Sequence, residues 1–199
     1  MSLTLIHSPQ TRSSAFIWLL EELEAPYELK RVTIRHAGQT EGLDPANPHP
    51  HGKVPGLIHD GVFIHEQTAI ALYLTDLFPK NRIGPQIGDP KRGPYLTWLA
   101  YYSGVAEPAF VSAFLKMEPP RGTAGWVKVD EVMAYLIKTL GAQPYLLGND
   151  FSAADLLFGG TFNLFSQSPL LPKSDVIRDY AQRCVSRPAA QRAQAKDAG

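Results

Sequence analysis

Gly52-Lys53-Val54-Pro55-Gly56-Leu57-Ile58-His59-Asp60-Gly61-Val62-Phe63-Ile64-His65-Glu66-Gln67 is the stretch that decides the fold of this 199-residue chain. Asp60-Gly61 stands between two apolar runs, and this pair tolerates the positive φ angles of a type I′ turn, so the segment predicts a β-hairpin. Pro55 can open the first strand, where its missing N–H costs no ladder bond. Helical periodicity follows from Gln67 to Phe78, with Ile70, Leu74 and Leu77 on one face, and stops at Pro79.

Working backwards, residues 36–52 are rich in Gly, Pro, Asn and His and predict an irregular segment with one helical turn. Tyr27–Ile34 reads as a strand through Tyr27, Leu29, Val32 and Ile34. Before it, residues 12–25 carry Phe16, Leu19, Leu20 and Leu23 at helical spacing, and Pro26 ends them. Leu3–Ile6 is a short apolar strand that runs into the loop His7-Ser8-Pro9. The order is β-α-β-(α)-β-β-α.

Past a Gly/Pro-rich connection at 79–94 the pattern becomes helical throughout. Residues 91–117 form a long helix that Gly104 and Pro108 should kink or break. A second amphipathic helix covers 125–140 up to Gly141, and another covers 174–187 before Pro188. Phe151-Ser152-Ala153-Ala154-Asp155-Leu156 is a capping box with Phe151 as its staple. Cys184 is the one cysteine, which excludes an internal disulfide, and it reads as core.

Nineteen basic and nineteen acidic side chains give no net charge, which argues against nucleic acid as a partner. The balance is uneven: residues 1–79 hold 5 basic and 9 acidic groups, residues 80–199 hold 14 and 10. No signal peptide and no apolar run of membrane-spanning length is read, so a soluble cytoplasmic protein is expected.

With these elements in order, the chain resembles the cytosolic glutathione transferases, particularly bacterial ones. The resemblance rests on Asn47-Pro48, on Gly52-Lys53-Val54-Pro55-Gly56-Leu57, on Glu66-Gln67-Thr68-Ala69-Ile70-Ala71-Leu72-Tyr73-Leu74, and on Phe151–Phe158. It implies an α/β thioredoxin-like N-terminal domain over 1–79, a linker at 80–89, and an all-helical bundle over 90–199. It implies a cis Val54-Pro55 bond, glutathione as co-substrate, a homodimer and a role in detoxification. An extended tripeptide can pair with Val54 beside Pro55 as an added strand. Glu66 balances the γ-glutamyl ammonium, the amides at the Gln67 helix start suit its carboxylate, and Lys53 and His51 lie toward the glycyl end. Gln67 replaces the serine or glycine more usual there, which leaves only its backbone for this bond. The ordinary alternative makes Glu66 a helix-dipole partner and Lys53 a solvated cation.

The family activates the glutathione sulfur with a hydroxyl or thiol near the first helix. Aligning Arg12 with delta- and theta-like members makes Ser8 that hydroxyl; aligning the loop with beta-type members makes it Thr11. Thr11 is preferred because it adjoins Arg12 and the free amides of the helix start, yet it could equally be a plain N-cap. Tyr102, Glu107 and Phe110 are candidates for the electrophile pocket, beside an aromatic stripe that also reads as core. Glu107 stands where beta-type enzymes carry a histidine, which speaks against their mechanism. All six histidines lie within the first 65 residues, and none has zinc-enzyme spacing, so no metal is expected.

Three activities fit. The first is transfer of glutathione to a small apolar electrophile. The second is glutathione-dependent peroxide or disulfide reduction. The third is glutathione binding without catalysis.

Overall fold

A computed structural model describes residues 2–35, 43–166, 168 and 172–198. The chain divides into two compact units, Met1–Asn81 with Pro188–Gly199, and Arg82–Arg187.

The first unit is built on a four-stranded mixed sheet. Its elements are β1 (Leu3–His7), α1 (Ser14–Glu22), β2 (Glu28–Arg31), β3 (Gly56–His59), β4 (Val62–His65) and α2 (Gln67–Leu77). The strand order is β2-β1-β3-β4, with β1 parallel to β2 and antiparallel to β3. The crossover through α1 lets β1 and β2 run the same way. Asp60 and Gly61 have φ of 46° and 84°, the two positive values that a type I′ turn requires. The Asp60 carboxylate also accepts the Ser2 amide at 2.7 Å, tying the hairpin to the start of β1. Leu5, Ile6 and Leu57 of the sheet, Phe16, Leu19 and Leu20 of α1, and Ile70 and Leu74 of α2 are all buried and form the core of this unit. Gly56 has no room for a side chain, because a Cβ there would lie 2.6 Å from the Phe63 ring.

α8 (Pro188–Ala198) belongs to this unit, and here the structure departs from the sequence reading, which assigned 90–199 to one helical domain and ended the last helix before Pro188. Pro188 starts a helix instead, as its fixed φ allows at a first position. Ala189 and Ala193 bury on α1, a face too small to register as amphipathic. Arg192 Nε reaches the Glu21 carboxylate at 2.9 Å, and Lys196 and Tyr27 bond its other oxygen. Burial alone would raise the Glu21 carboxyl, but these donors take it from the usual 4.5 down to about 2.

The second unit is helical: α3 (Arg92–Tyr101), α4 (Glu107–Phe114), α5 (Val129–Ala142), α6 (Ala153–Leu164) and α7 (Asp175–Val185). Its described residues contain no paired strand, only two single bridges, Tyr145–Gly148 and Leu147–Asp150. The break expected at Gly104 and Pro108 is a π turn over Tyr102–Ala106, and the Glu107 amide reaches the Tyr102 carbonyl. Pro108 cannot donate to the Gly104 carbonyl, so a wider turn absorbs the lost bond.

Asp155 organises the capping box at the start of α6. It accepts from the Ser152 amide and hydroxyl, the Leu146 amide and the Tyr180 hydroxyl, at 2.7–3.0 Å. Burial pushes its carboxyl up, against these four donors, to about 6. Gly159 lets α7 approach closely, since a Cβ there would lie 2.6 Å from Cys184. Cys184 is fully buried and its thiol is pushed up by burial, in keeping with a core role.

Candidate functional site

The register of the sheet collects the candidate residues. Ile6 pairs with Gly56, and Gly56 pairs with His65. The chain therefore leaves three neighbouring strands at one end of the sheet: toward Ser8 after β1, toward Val54-Pro55 before β3, and toward Glu66-Gln67 after β4. Adjacent strands lie about 4.8 Å apart, so residues far apart in sequence share one edge.

Val54-Pro55 is cis, as the resemblance implied. The loop before it is stitched to itself. Asn47 Nδ2 donates to the Lys53 carbonyl at 3.2 Å, the His49 amide to Asn47 Oδ1 at 3.0 Å, and the Gly52 amide to the His49 carbonyl at 2.9 Å. This gives the Asn47-Pro48 motif a physical job, which is to fix the path of Lys53 to Pro55. Lys53 and His51 are exposed, Val54 is half-buried and Pro55 is buried. Glu66 caps α2 with φ of 72° and stays exposed, its carboxylate 3.1 Å from His65 Nδ1. A non-glycine residue held at positive φ at a helix start is uncommon and marks a local constraint.

The loop between β1 and α1 carries the hydroxyls. Ser8 is buried, whereas Thr11 is half-buried and Arg12 exposed. Thr11 Oγ1 lies 2.7 Å from the Ser8 carbonyl, to which it donates, and 2.8 Å from Ser13 Oγ. Ser13, fully buried, accepts the Ser8 amide at 3.1 Å and lies 2.8 Å from His7 Nδ1. Asp197 of α8 faces the same loop. Its carboxylate accepts from the Ser14 hydroxyl at 2.6 Å and the Gln10 amide at 3.2 Å, and lies 3.4 Å from His7 Nε2. Sequence reasoning gave no role to Ser13 or Asp197. Nothing local could reveal Asp197, which is brought here only by the return of α8.

His49, His65 and Glu66 can each bring one ligand atom within 4.8 Å of the others, a cluster that linear spacing does not show. The His51 amide donates to His49 Nδ1 at 3.1 Å, which leaves the proton of the neutral ring on Nε2. A cation at either nitrogen would displace that amide or that proton. His59 Nδ1 meets the Tyr73 hydroxyl at 2.6 Å while its Nε2 lies 3.4 Å from the Asp60 carboxylate, and His36 lies outside the described residues.

The pocket candidates all lie in the helical unit. Tyr102 is core: its ring packs edge-on to Phe158 and its hydroxyl meets Thr161 Oγ1 at 2.7 Å. Its polar end being satisfied inside the bundle is what draws it in. Glu107 and Phe110 are half-buried, and Phe110 lies edge-on to Phe162. Among the described residues no helix is long and apolar enough to cross a membrane.

The glutathione S-transferase N-terminal domain family matches residues 1–76. An uncharacterized GST-like protein of Streptococcus mutans is 27% identical over 88% of this chain and 74% of its own length. A glutathione transferase from Methylococcus capsulatus superposes with a TM-score of 0.80 at 26% identity, covering 98% of both chains. A sphingomonad glutathione S-transferase, solved in complex with glutathione, superposes at 0.79 with 25% identity and 98% of both chains. Sequence match and fold agree: residues 1–76 match the glutathione S-transferase N-terminal domain, and over nearly its whole length the chain is similar to bacterial glutathione transferases.

Proposed function

We propose that the protein is a glutathione transferase that binds glutathione along the Val54–Gln67 end of the sheet, ionises its thiol and adds the thiolate to a small apolar electrophile. One observation carries this reading: the pairing of Ile6, Gly56 and His65 puts the hydroxyl loop, Val54-Pro55 and Glu66-Gln67 at one end of the sheet. In the proposed complex the peptide runs beside Val54, Glu66 receives the ammonium, the α2 amides receive the γ-glutamyl carboxylate, and Lys53 and His51 flank the glycyl end. Thr11 serves the sulfur better than Ser8, because its hydroxyl is half-buried where Ser8 is enclosed. Arg12 adds positive charge beside it. Glu107 and Phe110 remain the candidates for contact with the electrophile.

Magnitudes support a role for a hydroxyl. A free thiol titrates near ~8.5, so little thiolate exists at neutral pH. A helix start supplies about 0.3–1 kcal/mol. A hydrogen bond to an ionised acceptor adds roughly 1.5–3 kcal/mol, against about 1.4 kcal/mol for each pH unit. Together they are worth about one to three pH units.

A second reading, glutathione binding without thiol activation, draws on the Thr11 proton resting on the Ser8 carbonyl. A glutathione-affinity resin followed by conjugation of a chromogenic aryl halide separates the two. Retention with turnover supports the transferase, retention without turnover supports the binder, and no retention removes glutathione from the account. The proposed assembly is a cytoplasmic homodimer, as the resemblance to cytosolic glutathione transferases implies.

A further inference from the structure

We infer that His7, paired with Asp197, takes up the proton of the bound glutathione thiol through Ser13 and Thr11. The inference rests on the reading that Thr11 meets the sulfur. Three hydroxyl and imidazole groups stand in line: Thr11 Oγ1 lies 2.8 Å from Ser13 Oγ, which lies 2.8 Å from His7 Nδ1. His7 is fully buried, and its Nε2 has no hydrogen-bond partner, although the Asp197 carboxylate is 3.4 Å away. A buried ring nitrogen left this way asks for an explanation, and a charge that appears only during reaction supplies one.

The proton balance is explicit. Asp197 favours the tautomer with hydrogen on Nε2, leaving the Nδ1 lone pair for the Ser13 hydroxyl. Thr11 has one proton and two acceptors in reach, the Ser8 carbonyl at 2.7 Å and Ser13 Oγ at 2.8 Å, and turning it to Ser13 completes the chain. The S–H bond then breaks as its proton passes to Thr11 Oγ1. The Thr11 proton passes to Ser13 Oγ, and the Ser13 proton passes to His7 Nδ1. The products are a thiolate that accepts a hydrogen bond from Thr11 and an imidazolium that faces Asp197. No proton leaves the protein. His7 acts through two other side chains, so it is a positioning residue that also stores charge.

The groups around His7 set its basicity in opposite directions. Burial lowers its pKa first, the Asp197 carboxylate raises it, and Arg31 at the end of β2 lowers it again. The ring is therefore neutral at rest and ready to accept, with Asp197 as the group that makes acceptance affordable. The same carboxylate holds the loop in place through Gln10 and Ser14, which keeps the three atoms aligned.

The test is a proton inventory. Glutathione is titrated into the protein near neutral pH by calorimetry, in two buffers of different ionisation enthalpy, while thiolate absorbance is followed in parallel. The wild type is expected to form thiolate with less than half a proton released per thiolate. Asp197→Asn and His7→Gln should bring release close to one proton per thiolate and cut the thiolate fraction several-fold. Ser13→Ala should do the same, and Ser13→Thr, which restores the hydroxyl, should recover the wild-type ratio. One full proton released by the wild type overturns the inference, as does an unchanged ratio in a folded Asp197→Asn protein. Thr11→Val separates the two layers: thiolate unaffected by it means the Thr11 reading itself has failed. Thiolate lost in Thr11→Val but unaltered in the other variants defeats only the relay.

Discussion

At the scale of single residues, the distinction between Ser8 and Thr11 is one of access. Both sit in the same loop, but the chain encloses Ser8 and leaves Thr11 half-exposed with its hydroxyl between two acceptors. Thr11→Val keeps the shape and removes the hydroxyl, so the bound thiol should titrate about 1–2 pH units higher, whereas Ser8→Ala should shift it less. Thiolate absorbance against pH reads both, and a larger shift in Ser8→Ala reverses the roles. Glu66→Ala should weaken glutathione binding by about 1–3 kcal/mol, because the ligand ammonium loses its counter-charge. An unchanged dissociation constant by calorimetry would return Glu66 to a dipole partner of α2. Residues with family motifs around them, Val54 to Gln67, were legible in the sequence. Ser13 was in plain view without a signal, since a serine near a helix start reads as a cap until the buried imidazole beside it is seen.

At the scale of elements, the hairpin and the capping box were readable because their chemistry is local. Asp60-Gly61 needs only its own φ angles, and Asp155 needs only Ser152 three residues before it. α8 was not readable, because its docking depends on two alanines and on charges more than 160 positions from their partners. Glu21 is the anchor, and its carboxyl is held well below the usual range. A depressed carboxyl adds stability that is complete above about 4.5 and is lost as the pH falls toward about 2. Discounted for the half-exposed Arg192 and Lys196, the effect is about 1–2 kcal/mol. Amide exchange in α8 should therefore quicken across that window in the wild type. In Glu21→Gln it should be fast already and change little. Equal pH dependence in both proteins would mean the ion pairs do not hold α8.

At the scale of the whole molecule, the first unit is discontinuous in sequence, since the last helix completes the fold that the first strand begins. Deleting residues 188–199 should expose α1, loosen the loop from Gln10 to Ser14 and lower the melting temperature. Amides of α6 and α7 should keep their protection, because they belong to the other unit. Loss of protection in α6 and α7 as well would show that the two units unfold as one. The proposed homodimer should sediment at about twice 21.9 kDa at micromolar concentration, and a species of single-chain mass would count against it. The central claim is that this end of the sheet binds glutathione and ionises it, and titrating the thiolate absorbance of bound glutathione tests it most directly. The account predicts a midpoint about one to three pH units below the ~8.5 of a free thiol; a bound thiol that still titrates near ~8.5 would contradict it.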